Sequence, residues 1–153
     1  MLIEQRLQEL GLTLPEAVPP LYSYVPIVIH NHVAYISGQV PRVNGNIPYK
    51  GKVGEGVTIE QARELAEICV LKALSCLKEA IGSLDKVEQV LKVTGYVQSA
   101  PEFSQQPNVL DAASELLVKI FDERGRHART AIGVAELPSN TPIEIDFIIA
   151  IRE

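Results

Sequence analysis

Hydrophobic and polar residues alternate most regularly near the end of the chain, which predicts a β-strand there. One side of this strand is entirely apolar and carries Ile143, Ile145, Phe147, Ile149 and Ile151. The other side carries Glu144, Asp146, Ile148 and Ala150. Successive side chains of a strand point to opposite faces, so we expect the first set to meet the helices. The second face is also partly apolar and lacks a helix, which predicts self-association through it.

Apolar residues at helical spacing predict a long helix over residues 58–81. Thr58 and Gln61 have the form of a capping box at its start, and Gly82 ends it. The other predicted elements are a short helix over residues 2–10, strands over 25–30, 33–39 and 87–98 with a break near Gly95, a second long helix over 108–123, and a final hairpin turning over 137–142.

This order predicts an α+β fold, with a mostly antiparallel sheet and two long helices on one face. Residues 1–20 are predicted to form an N-terminal helical extension with a Pro-rich connector, and residues 21–153 a single domain. The chain has a net charge of −5 and no basic stripe, which argues against nucleic acid as a partner. Arg124, Arg126 and Arg129 form a local basic cluster that suits a small anion. No signal core or membrane span is evident, so a cytoplasmic location is expected.

Cysteine and histidine spacing predicts neither a disulfide nor a metal site. Cys69 and Cys76 lie seven apart in the predicted helix, about 10 Å between Cα atoms, which is too far for a disulfide. We expect both to be buried as small hydrophobic residues. His30 and His32 flank a turn without a carboxylate or third histidine at useful spacing, so no metal is expected there.

The predicted hairpin carries the candidate chemistry, an arginine at Arg129 and a carboxylate at Glu144. Its register places them about six positions, or about 20 Å, apart. If they act on one small substrate, they must therefore come from different subunits. The alternatives are an ion pair for Arg129 and a solvated or salt-bridged strand residue for Glu144. His127 is expected to be an exposed loop residue, with a catalytic role as the alternative.

A second candidate region lies at the end of the predicted strand over residues 33–39. Gly38 would let a ligand or another backbone approach closely, and Ser37 offers a hydroxyl group. Tyr24 lies across the first hairpin, where a buried, hydrogen-bonded tyrosine is the ordinary alternative to a binding role. No Gly-x-Ser-x-Gly elbow, Walker loop or dinucleotide fingerprint is present.

Together these residues resemble the RidA (reactive intermediate deaminase A) family, also called YjgF. The resemblance rests on Tyr24-Val25, Ile36-Ser37-Gly38-Gln39-Val40-Pro41, Ala128-Arg129-Thr130, Val134-Ala135, Leu137-Pro138 and Ile143-Glu144-Ile145. It implies a chorismate-mutase-like fold and a homotrimer with ligand clefts between subunits. It also implies hydrolysis of 2-imino acids and their enamine tautomers, without a cofactor.

The resemblance further implies a role for each matched residue. Arg129 would bind the substrate carboxylate, and Glu144 would hold or activate water. Tyr24, Ser37 and Gly38 would line the cleft, and the backbone of Ala131 would bind the imine end. The chain also departs from the family pattern, because His127 replaces a proline and Ala131 a cysteine.

Two other functions stay open at this point. Some members of the family are described as single-strand endoribonucleases or translation inhibitors, although the acidic charge and the lack of a groove with stacking aromatic residues count against this activity here. The other is a trimer that binds a metabolite or protein and acts as a regulator without catalysis.

Overall fold

The computed structural model describes residues 2–153, in which three α-helices and a five-stranded sheet form the domain. The elements are α1 (Ile3–Glu9), β1 (Ile27–His30), β2 (Val33–Gln39), β3 (Lys52–Val53), β4 (Gly56–Val57), α2 (Ile59–Ile81), β5 (Val87–Gln98), α3 (Gln106–Phe121), β6 (Ala128–Val134) and β7 (Ile143–Ile151). The α+β class is therefore confirmed. The short parallel pair of β3 and β4, inside the segment between β2 and α2, was not predicted.

Local side-chain chemistry sets the bounds of α2, as predicted. The Thr58 hydroxyl accepts a hydrogen bond from the Gln61 backbone N–H, and the Gln61 side chain accepts one from the Thr58 N–H, both at 3.0 Å. This reciprocal pair satisfies two backbone donors at the start of the helix. Gly82 ends the helix at φ 86°, a left-handed conformation that favours glycine.

The sheet has the strand order β1-β2-β7-β5-β6, and its one parallel pair is β5 with β6. The other neighbours are antiparallel, so the mostly antiparallel sheet is confirmed. Strand β5 runs unbroken through Gly95, which pairs with both neighbouring strands, and its irregularities lie before Lys92. The predicted break near Gly95 is therefore wrong.

The predicted hairpin of β6 and β7 is also wrong, because β5 lies between them. The connecting segment instead crosses the end of β5, where the side chain of the fully buried Gln98 holds it. Gln98 accepts a hydrogen bond from the Leu137 N–H at 2.7 Å and donates to the Asn140 side chain and the Gly51 carbonyl at 2.8 Å each. These contacts hold a crossover where a tight turn was expected.

Helices α2 and α3 cover one face of the sheet, which is the face that carries the apolar side of β7. The five apolar residues from Ile143 to Ile151 are at most 6% exposed and belong to the core, as predicted. The opposite face is left uncovered by helices and includes Val28, Tyr35 and Ile132, which are 52%, 47% and 42% exposed. We call this second side the open face; that another subunit covers it stays a prediction.

The N-terminal segment packs on the domain. Ile3 and Leu7 of α1 are buried in the same core as α2 and α3. A domain boundary at residue 20 stays a prediction. Both cysteines are free and buried, as predicted. None of the helices described is long and apolar enough to cross a membrane.

Candidate functional site

Glu144 lies on the open face, at the start of β7 and next to a bulge in β2. Ile36 pairs with Phe147 and Gln39 with Ile145, so β2 has one residue more than β7 between these two pairs. The bulge places Gly38 against the Glu144 side chain: a Cβ at residue 38 would lie 3.0 Å from Cδ of Glu144 and closer still to Oε2. The carboxylate therefore occupies space that is open only because residue 38 is glycine.

The environment of Glu144 disfavours its charged form. Its pKa is raised, first by burial and second by the negative charge of Asp146. Within residues 2–153 the carboxylate has no hydrogen-bond donor and no ion-pair partner. The Tyr96 hydroxyl donates to Asp146 at 3.2 Å and leaves Glu144 unpaired. A half-buried, unpaired carboxylate of this kind is typical of a functional site. When it is ionised, it lowers the stability of the folded protein.

Ser37 and the segment before β1 complete this side of the site. The Ser37 hydroxyl donates to the carbonyl of Val25, the residue after Tyr24, at 2.7 Å. The Tyr24 side chain is 51% exposed, so the buried alternative is wrong. From α2, the Cys69 thiol and Lys72 donate to the carbonyls of Gln39 and Val40, which holds β2 just after the bulge. The structure thus brings Ser37, Gly38 and Glu144 together, and Tyr24 directly precedes the residue whose carbonyl Ser37 binds.

Arg129 lies on the other side of the sheet. It lies opposite Val93 of β5, which in turn lies opposite Phe147 of β7. The side chains of Val93 and Phe147 are buried under the helices. Residues opposite each other in a ladder share a face, so the Arg129 side chain leaves edge strand β6 on the helix side. Glu144 pairs with Tyr96 on the open face. One small substrate bound to a single chain therefore cannot reach both groups.

The register also corrects the separation predicted from the hairpin. Glu144 is level with Ile132, three residues along β6 from Arg129, and β5 lies between the two strands. This amounts to about 10 Å along the strands and about 10 Å across them, in place of about 20 Å along one ladder. The predicted division of the two groups between subunits stays a prediction, and the opposite faces now support it.

Contacts with α3 hold one nitrogen of the Arg129 guanidinium. Nη1 donates to Oδ1 of Asp111 at 2.8 Å and to Oγ of Ser114 at 3.2 Å, which uses both of its hydrogens. Among the described residues, Nε and Nη2 have no acceptor. The Nε and Nη2 hydrogens point in the same direction and match the two oxygens of a carboxylate. The ion-pair alternative for Arg129 is therefore correct for Nη1, but it leaves this edge open.

His127 is half-buried, so its predicted exposure is wrong. Its Nδ1 lies 2.6 Å from the Gly125 carbonyl oxygen and its Nε2 lies 2.8 Å from Oγ of Ser114. Burial lowers its pKa, the contact with Gly125 opposes this shift, and the positive charge of Arg129 adds to it. The imidazole is thus neutral at neutral pH.

The other arginines of the predicted cluster have different contacts. Arg124 donates to the Val87 carbonyl at 2.7 Å, and Arg126 forms a surface ion pair with Glu123. The three arginines therefore do not form one anion site. Ala131 is half-buried on the helix side of β6, opposite Gly95. Because β6 is an edge strand, part of its backbone is unpaired near this residue.

The sequence did not predict the roles of Asp111 and Ser114. Both are polar and lie three residues apart on α3, a helix that is otherwise mostly apolar on its buried side. This spacing places them on one helix face and was the available signal. Among residues 2–153, no three side chains of metal-binding type form a cluster.

Replacing Gly38 with alanine tests the contact with Glu144. The new methyl group would displace the carboxylate without straining the backbone, since residue 38 does not have a positive φ. We expect kcat for any reaction that uses Glu144 to fall about ten-fold or more, as for a misplaced catalytic group. Steady-state kinetics and the melting temperature are the measurements. Gly45→Ala, in an exposed turn where a φ of 83° strains alanine without any contact of its Cβ, is the control for a loss of stability alone. Unchanged kcat in Gly38→Ala would contradict the assignment.

Comparisons with known proteins cover almost the whole chain. Protein TCP17 of Trypanosoma cruzi is 35% identical over 98% of this chain and 94% of its own length. The crystal structure of a protein of unknown function from Agrobacterium tumefaciens is 44% identical, with a TM-score of 0.91 over 98% of this chain and 92% of that one. The 2-iminobutanoate/2-iminopropanoate deaminase of Dermatophagoides farinae is 26% identical over 92% of this chain and 95% of its own length.

The family model that matches carries the description "YjgF/chorismate mutase-like, putative endoribonuclease" and covers residues 4–150. The match includes both long helices and all five strands of the main sheet, except for the last residue of β7. As the resemblance to RidA predicted, this chain belongs to the YjgF/chorismate mutase-like family.

Proposed function

We propose that this protein hydrolyses 2-imino acids and their enamine tautomers to 2-keto acids and ammonia, in clefts between the subunits of a homotrimer. The observation that carries the proposal is the placement of its two charged groups. An unpaired, half-buried carboxylate at Glu144 and the open edge of Arg129 lie on opposite faces of one sheet. The relative named as a 2-iminobutanoate/2-iminopropanoate deaminase supports the activity.

Each group has a defined task in this reaction. The Nε and Nη2 hydrogens of Arg129 bind the substrate carboxylate in a bidentate manner. Glu144 of the adjacent subunit accepts a proton from water as the water oxygen bonds to the carbon of the protonated C=N group. Glu144 then gives this proton to nitrogen and the C–N bond breaks. As ammonia leaves, the hydroxyl proton passes to Glu144 and then to ammonia, and the keto group forms. The protonated imine is itself the electrophile, so positioning supplies most of the catalysis.

The remaining residues shape the cleft in this proposal. Tyr24, Ser37 and Gly38 would line the half that holds Glu144, and the backbone at Ala131 would bind the imine end in the other half. The exposed apolar residues of the open face, Val28 and Tyr35 among them, would be buried between subunits of the trimer.

Hydrolysis of imines generated in situ tests the function. We expect the protein to accelerate the loss of 2-iminopropanoate made from alanine by an amino acid oxidase, measured by trapping the remaining imine with semicarbazide. Heat-denatured protein and the Arg129→Ala variant are the controls. If the native protein does not accelerate imine loss for several side chains, the proposed activity is wrong, and a trimer that binds without catalysis becomes the better hypothesis. Activity that Arg129→Ala retains in full would contradict the mechanism.

The endoribonuclease alternative has the description of the family behind it. Its physical support in this chain is weak, because the net charge is −5 and Arg124 and Arg126, just before β6, have protein partners. Phosphate binding by a nuclease would require unpaired basic side chains along a groove. Incubation of the protein with labelled single-stranded RNA in the same buffer distinguishes the two activities.

A further inference from the structure

The directions of the hydrogen bonds around Arg129 follow from the chemistry of each partner. The Gly125 carbonyl can only accept, so Nδ1 of His127 carries the proton and donates. In neutral His127 the other nitrogen, Nε2, can then only accept, so the Ser114 hydroxyl donates to it. The lone pairs of Oγ are thereby left to accept from Nη1 of Arg129. Donor and acceptor are therefore assigned for every hydrogen bond from Gly125 through His127 and Ser114 to Arg129.

We propose that Ser114 and His127 are positioning residues for Arg129, which rests on the function proposed above for that arginine. His127 fixes the rotation of the Ser114 hydroxyl, and Ser114 fixes the plane of the guanidinium. Asp111 takes the second hydrogen of Nη1, and its side chain is 50% exposed. Asp111 alone would hold one N–H and allow the guanidinium to rotate about that bond. The contact with Ser114 removes this freedom and points the Nε and Nη2 edge away from α3.

The arrangement depends on a histidine at residue 127. A proline at residue 127, as in the pattern of the family that this chain resembles, would offer no side-chain acceptor to Ser114. The Ser114 hydroxyl would then be free to rotate or to bind elsewhere. His127 thus acts on Arg129 through Ser114, so replacing His127 is expected to have no further effect once Ser114 has been replaced.

Kinetics with 2-iminopropanoate generated in situ test the proposal. We expect Ser114→Ala to raise KM about ten-fold, as for a weakened charged hydrogen bond, with kcat within about two-fold of the native value. Ser114→Thr retains the hydroxyl and is expected to restore most of the affinity. His127→Phe should raise KM less than Ser114→Ala, and the double variant should be no worse than Ser114→Ala alone. Ser104→Ala, an exposed serine before α3, is the control.

The outcomes distinguish this proposal from the proposed function. If Arg129→Ala loses activity but Ser114→Ala keeps the native KM, the positioning role is wrong and the deaminase function stands. If the native protein shows no deaminase activity, nitrogen-15 NMR of the arginine side chains tests the positioning role of Ser114 directly. We expect a discrete Nε–H signal for Arg129, identified by its absence in Arg129→Ala. This signal should broaden in Ser114→Ala and recover in Ser114→Thr. An unchanged signal in Ser114→Ala would overturn the proposal.

Discussion

Replacing Glu144 with glutamine is expected to lower kcat for imine hydrolysis about 100-fold or more, because the amide cannot accept a proton from water. The substitution keeps the length and shape of the side chain beside Gly38. KM should change little, since the substrate carboxylate is assigned to Arg129. Steady-state measurements with 2-iminopropanoate generated in situ give both constants. A kcat that stays within a few-fold of the native value would remove Glu144 from the mechanism.

The pH profile of the native protein gives an independent check on Glu144. The base acts when it is ionised, so kcat should fall as the pH drops through its pKa. That pKa is raised by burial and by the charge of Asp146. Asp146→Asn removes the second cause and should move the acidic limb of kcat to lower pH. Because Asp146 accepts a hydrogen bond from Tyr96, Tyr96→Phe is the matched control for loss of that contact alone.

The same environment predicts a gain in stability from Glu144→Gln. A carboxyl group whose pKa is higher in the folded than in the unfolded chain binds more protons when folded. The free energy of unfolding therefore falls as the pH rises through the interval between the two pKa values. At neutral pH the ionised Glu144 thus costs stability, and glutamine removes this cost. We expect the melting temperature of the variant to equal or exceed the native value at pH 7, which excludes unfolding as the cause of lost activity.

Much of the fold follows from local signals that a single sequence carries. The ends of α2 were predicted from Thr58, Gln61 and Gly82, whose effects act within one turn of the helix. The buried face of β7 was predicted from its alternation, because period-2 patterning reports which side chains share a face. The strands that pair with β7 were not predicted, because alternation does not show which strand lies beside another. A short connection between β6 and β7 favours a hairpin, but β5 separates them.

The sequence provides the candidate residues of the site but not their arrangement, because the arrangement depends on which strands pair. The residues Arg129, Glu144, Ser37 and Gly38 were found by motif and by resemblance, and the structure places the last three together. That Arg129 lies on the opposite face depends on the parallel pairing of β6 with β5, a long-range feature. The roles of Ser114 and Asp111 depend on the packing of α3 against β6, and spacing alone does not reveal such contacts.

Two inactive variants are expected to restore each other's activity when they assemble in one trimer. Arg129→Ala lacks the carboxylate-binding group and Glu144→Gln lacks the base, and the sheet separates the two positions within a chain. In a ring where each cleft takes Arg129 from one subunit and Glu144 from the next, random mixing leaves both groups intact in about one quarter of the clefts. Co-expression of the two variants should therefore recover about a quarter of the native activity per cleft in the unselected mixture. Isolated mixed trimers should recover about a third, because each has one intact cleft out of three.

The restored activity should also depend on assembly. The two variants carry different affinity tags, and a tandem purification retains only the mixed oligomers, whose mass in solution is measured by light scattering. Variants that are purified separately and then mixed should stay inactive until unfolding and refolding exchange their subunits. The double variant Arg129→Ala/Glu144→Gln, co-expressed with either single variant, supplies no cleft with both groups and is the matched control. If the mixed oligomers stay inactive although the native protein is active, the shared cleft is refuted.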